Sequence, residues 1–114
     1  MEKFMLIFQG GTSTPQGSAE EMQAHMNKWF TWIEQLTKEG KYAGGEALLP
    51  GGKLVKGKNK AVTDGPYTEG KEIVGGYFII NANSYDEAVE IAKDCPDLNY
   101  DGSVHVRQVQ KFDM

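Results

Sequence analysis

The sequence predicts an α+β fold, an antiparallel sheet of four main strands carrying two helices on one face. Three observations lead there. Ser18 with Glu21 and Ser84 with Glu87 each make the capping-box pattern that opens a helix. Runs of alternating or aromatic and aliphatic residues lie before, between and after those two helices. The resulting order, β-α-β-arm-β-α-β, is the split βαβ or ferredoxin-like pattern, in which an antiparallel sheet takes both helices on the same side.

Each element follows from local chemistry. Residues 3 to 9 run through aromatic and aliphatic side chains without a breaker and read as a central strand, apolar on both faces. Gly10 to Gly17 is a loop by composition, and the first helix then spans about Ala19 to Glu39. Its apolar stripe is expected at Met22, Met26, Trp29, Ile33 and Leu36, with Gly40 past the end as a C-cap. A second strand is expected at Tyr42 to Leu49, ended by Pro50-Gly-Gly. Lys53 to Lys60 is polar and glycine-interrupted and reads as an exposed hairpin arm, leading through Ala61-Val-Thr to an Asp64-Gly-Pro turn. Ile73 to Ala82 is strand-rich in composition, and its Gly75-Gly76 pair marks a bulge or the close approach of another backbone or a ligand. Tyr85, Ala88, Ile91, Ala92 and Cys95 form the buried stripe of a short helix stopped by Pro96. After a polar loop, Val104 and Val106 alternate with His105 and Arg107 in a last, half-exposed strand.

The totals bound the function classes. A chain of 114 residues is the size of one compact domain, so residues 1–114 are expected to fold as a unit. No apolar run approaches the roughly 20 residues needed to cross a bilayer, and Met1-Glu-Lys-Phe does not read as a signal peptide. Neither a membrane nor nucleic acid is an expected partner, because a net charge of -4 and scattered lysines do not make a phosphate-tracking surface. A single cysteine, Cys95, forms no internal disulfide and suits a reducing compartment, so the expected location is the cytoplasm. The two histidines, His25 and His105, are not spaced for zinc, and the glycine pairs do not follow dinucleotide or phosphate-loop spacing. No cofactor is expected.

Five residues are candidates for chemistry on their own account. Asp64 can cap exposed backbone N–H groups as a turn-former, or stand as a rigidly held carboxylate at the mouth of a pocket with Tyr67 beside it. His25 lies about 60° off the centre of the first helix's expected stripe, at ~100° per residue, on the flank of Trp29 and Trp32. A half-buried histidine there is either a boundary packing residue or a proton-transfer group, and Trp29 either packs or forms an apolar binding wall. Glu46 sits among small and apolar residues. Pointing inward it would carry a raised pKa suited to acid/base work; pointing outward it would carry nothing, since facing alternates along a strand.

The stretch Val62-Thr-Asp-Gly-Pro-Tyr-Thr-Glu-Gly-Lys-Glu-Ile-Val-Gly-Gly-Tyr-Phe-Ile-Ile, followed by Ser84-Tyr-Asp-Glu-Ala-Val-Glu-Ile-Ala-Lys-Asp-Cys-Pro and Gly102-Ser-Val-His-Val-Arg, closely resembles the YCII-related family, in particular its DGPF branch. The likeness runs from the Phe4-Met-Leu-Ile strand to Arg107, with Tyr67 where that branch usually has phenylalanine. The resemblance implies a dimeric α+β barrel of ferredoxin-like units. It also implies an acid/base role for a histidine and an aspartate near a cleft, and the family includes a relative that dehydrochlorinates a chlorinated aromatic. His25 matches that histidine by its place in the first helix, and Asp64 is the aspartate of the DGPF motif. Two functions stay open. One is a cofactor-independent enzyme doing lyase-like or isomerase-like proton transfer, with His25 and Asp64 catalytic and Glu46, Tyr67 and Trp29 binding a small molecule. The other is a non-catalytic ligand-binding or regulatory module, following the association of DGPF relatives with extracytoplasmic-type sigma factors. A homodimer is expected in both, because one layer of helices cannot cover the apolar surface of both sheet faces.

Overall fold

The computed structural model describes residues 1–10, 18–49, 51–64, 74–100 and 102–112. The chain runs β1 (Glu2–Gln9), α1 (Ala19–Lys38), β2 (Tyr42–Ala47), β3 (Lys53–Lys56), β4 (Ala61–Asp64), β5 (Val74–Ala82), α2 (Tyr85–Ala92), a 3-10 turn (Pro96–Tyr100) and β6 (Ser103–Gln108). Four strands form one sheet in the order β2-β5-β1-β6, antiparallel at every pairing, while β3 and β4 form a separate two-stranded arm. This is the mixed α+β architecture that the sequence pattern predicts. Both helices open on the expected caps, with Ser18 Oγ accepting from the Glu21 amide and Ser84 Oγ from the Glu87 amide, each at 3.2 Å.

Alternation decides the two faces of the sheet. Phe4, Leu6 and Phe8 of β1 and Phe78, Ile80 and Ala82 of β5 are buried under the helices, where Trp32 and Leu36 of α1 and Ala88, Ile91 and Ala92 of α2 meet them. Burying a side chain such as Phe4, Leu6 or Ile80 contributes roughly 1.5–3 kcal/mol, so this layer holds the fold together. Their neighbours Met5, Ile7, Tyr77 and Ile79 point to the other face and are only half-buried.

The glycine pair in β5 behaves as its composition predicts. Phe8 pairs with Gly76 and Gln9 with Val74, so Gly75 is the extra residue of a bulge. Gly76 lies against the backbone of β2, where a Cβ would come within 2.7 Å of the Glu46 carbonyl oxygen.

Two expectations are corrected. Met22 and Met26 are exposed, and the buried line of α1 is His25, Trp32 and Leu36, with Trp29 and Ile33 partly covered. The helix is rotated so that its two indoles, rather than its thioethers, enter the layer above Phe8 and Phe78. Their larger apolar area decides the rotation. The strand expected through Leu49 ends at Ala47, and Leu49 stands almost fully in solvent. No helix among the described residues is long and apolar enough to cross a membrane.

Candidate functional site

The i, i+4 spacing of His25 and Trp29 stacks their side chains along one line of α1. The Trp29 indole N–H donates to His25 Nε2 at 3.3 Å. On its other side the same nitrogen lies 3.1 Å from Asp97 Oδ1, a carboxylate supplied by the 3-10 turn that follows α2. His25 is 6% exposed and Asp97 22% exposed, so the imidazole lies behind and the carboxylate in front.

Each partner is held from several sides. The Trp29 ring meets Phe8, Trp32 and Phe78 edge-on, with centroids at 5.0, 5.5 and 5.7 Å. Asp97 is fixed through its main chain, because Gly102 donates its N–H to the Asp97 carbonyl at 3.0 Å. A side chain at position 102 would strike Asp97, whose carbonyl oxygen and Cβ lie 2.8 and 3.0 Å from where a Cβ would stand. Glycine there lets the chain close over the turn. Cys95, two residues before Asp97, is buried, and burial pushes its thiol up to about 12, partly offset by the Asp97 and Leu98 amides. It is a packing residue rather than a nucleophile at neutral pH.

Alongside this pair a groove of about 370 Å³ opens between α1 and the turn. Asn27, Lys28 and Thr31 form one wall and Asp94, Pro96 and Asn99 the other. Its lining mixes apolar surface with a few polar groups of both charges, and Asp97 lies between the wall residues Pro96 and Asn99 without itself lining it. The described residues contain no group of three His, Cys, Asp or Glu side chains placed to hold a metal ion.

The other candidates lie elsewhere. Asp64 ends β4 in the outlying arm, 86% exposed, and pairs across the hairpin with Lys53. A solvated ion pair of this kind is no proton-relay partner for a buried imidazole. Glu46 stands directly opposite Tyr77, on the sheet face turned away from the helices, so the sheet lies between it and His25. It is exposed, and the inward-facing alternative is therefore removed. Tyr42 has its phenol raised above the ordinary range mainly by burial and then by the Glu46 carboxylate and Tyr77. Tyr67 lies outside the described residues. Of the expected constellation, His25 and Trp29 come together, and their carboxylate partner is Asp97 rather than Asp64 or Glu46. No spacing rule finds Asp97, which is 72 residues from His25 in the chain. The one local signal is Pro96, which opens the 3-10 turn that carries Asp97.

Comparison with known proteins agrees with this architecture. A 5-chloro-2-hydroxyhydroquinone dehydrochlorinase from Burkholderia phenoliruptrix, solved in complex with 2,5-dihydroxybenzoquinone, is similar in fold, with a TM-score of 0.54 and 17% identity over 95% of this chain and 93% of that one. No curated protein matches the sequence. The model of the YCII-related domain matches residues 4–113, nearly the whole length of the sequence. With that match, the chain belongs to the YCII-related family.

Proposed function

We propose that the protein is a small, cofactor-independent enzyme that carries out lyase-like or isomerase-like proton transfer on a small molecule, with His25 and Asp97 acting as one unit. The observation that carries this reading is the 3.1 Å contact between a buried imidazole and a half-exposed carboxylate beside a groove of mixed polar and apolar lining. The exposed member meets the ligand. Asp97 takes or gives the proton at the groove side, and His25 behind it stabilises each charge state of the carboxylate through Nε2. The fold neighbour's ligand makes hydroxylated quinones and hydroquinones the first class to try.

The test uses 5-chloro-2-hydroxyhydroquinone as substrate, with chloride release as the readout, and 2,5-dihydroxybenzoquinone as a binding probe followed by tryptophan quenching. Wild-type protein is expected to bind the probe and release chloride. Asp97→Asn is expected to keep the fold and lower turnover about 10²-fold or more, the usual contribution of a positioned acid or base. Turnover unchanged in both Asp97→Asn and His25→Gln would remove the pair from the chemistry.

We also propose that the protein works as a homodimer, in the cytoplasm, joined through the open face of the sheet. Met5, Ile7, Tyr77 and Ile79 form an apolar band there. Register places Glu46 at the β2 edge in the row Glu46, Tyr77, Ile7, His105, and Arg107 at the β6 edge opposite Met5. Two copies stacked face to face about an axis along the strands bring the acidic edge of one over the basic edge of its partner. Light scattering at micromolar concentration should read a dimer for the wild type, more monomer for Glu46→Lys and for Arg107→Glu, and recovery in the double variant. A monomeric wild type contradicts the assembly.

An exposed apolar line on α1, Met22, Met26 and Phe30, favours a second reading, a binding or regulatory module that docks a partner protein through that helix. It becomes the better one if the quinone probe neither binds nor reacts.

A further inference from the structure

One nitrogen, His25 Nε2, lies between a fixed donor and a fixed acceptor. Trp29 Nε1 is 3.3 Å away and Asp97 Oδ1 3.1 Å away. The indole can only donate, so its bond requires a lone pair on Nε2; the carboxylate can only accept while ionised, so its bond requires a proton there. Both demands cannot be met at once. Three aromatic rings hold the indole in place, and the Gly102 N–H fixes the backbone that carries the Asp97 carboxylate.

We infer that Trp29 is a positioning residue for the His25–Asp97 pair, opposing Asp97 for the proton on Nε2 and so keeping that proton transferable. This rests on the proton-transfer reading above and adds a determinant to it. Without the indole N–H, Trp29 no longer opposes the carboxylate's demand for a proton on Nε2. With it, the indole N–H points at the same nitrogen and favours a lone pair there. Among the described residues, other charged and titratable groups lie on the elements around α1. Glu21 and Lys28 lie about one turn to either side of His25 on α1 and are exposed, and β2 carries Tyr42 and Glu46, with Glu46 across the sheet. On the turn side Asp94 and Cys95 precede Asp97, and burial keeps Cys95 uncharged.

The test is an NMR titration of the two histidines, with the exposed His105 as internal reference. Trp29→Phe keeps a ring in the aromatic cluster and removes only the donor. The His25 titration midpoint is expected to rise by about half a pH unit or more, the effect of losing one neutral hydrogen bond to the uncharged form, while His105 stays in place. Asp97→Asn is expected to move the His25 midpoint the other way. Trp32→Phe, which removes an indole N–H that has no hydrogen-bond partner among the described residues, is expected to leave it unmoved. A wild-type measurement needs no variant to fold: the Trp29 indole N–H resonance should shift with the His25 midpoint. A Trp29 resonance indifferent to that titration, or a Trp29→Phe midpoint that stays or falls, overturns the inference. Because no turnover is read, the outcome is independent of whether a substrate has been found. If the reaction reading fails, chloride release is absent while the titration still reports on Trp29.

Discussion

Phe78→Ala is expected to cost about 3–5 kcal/mol of folding stability, the range for deleting a large buried ring. Phe78 sits at the centre of the layer between sheet and α1, with the rings of Phe8, Tyr42, Trp32 and Trp29 at 4.9, 5.1, 5.2 and 5.7 Å. Four of its contacts are therefore aromatic, and each edge or offset pair contributes roughly 0.5–1.5 kcal/mol beyond the area it buries. A domain of this size has only about 5–15 kcal/mol in total, so the loss takes a large part of it. Urea unfolding checks the prediction through a lower midpoint at unchanged slope. A loss below about 1 kcal/mol would mean that the cluster closes over the cavity. The same substitution reaches the candidate site, because Trp29 loses one of the three rings that aim its N–H at His25.

How far the sequence foretold this arrangement depends on the range over which each feature is decided. Helix starts are decided within three residues, and both serine caps are present where the capping boxes lie. The bulge falls at Gly75, within the glycine pair that marks it in the sequence. Which face of α1 turns inward is decided by the surface it meets. Met22 and Met26 rank above histidine in hydrophobicity, yet His25 is the residue covered, because a carboxylate from another element satisfies it. That carboxylate was invisible, since the Asp97 turn is brought to α1 only when α2 and β6 have packed against the sheet. Asp64 stands out in the sequence for the opposite reason. Its motif is locally distinctive, but the described end of it stands in solvent on the arm. A motif can identify a family while the groups suited to chemistry assemble elsewhere in the fold.

Gly76→Ala is expected to cost about 1–3 kcal/mol, whereas Gly75→Ala, one residue away, should change stability by under about 0.5 kcal/mol. Composition alone gives no reason to separate these two glycines; the approach of β2 does. A Cβ on Gly76 would stand 2.7 Å from the Glu46 carbonyl oxygen and 3.3 Å from Ala47 Cα, and backbone atoms of a paired strand cannot rotate aside as a side chain can. A Cβ on Gly75 meets nothing within 4 Å. The strain of Gly76→Ala must therefore be relieved by moving β2, an edge strand held to the sheet by β5 alone. Hydrogen exchange should show the amides of residues 44–47 losing protection in Gly76→Ala and keeping it in Gly75→Ala, with α1 unaffected in both. Because Glu46 rides on the displaced strand, the dimer should weaken in the first variant and not in the second. Equal stability losses in the two variants would show that glycine's backbone freedom, and not the close packing of β2 on β5, is what this pair supplies.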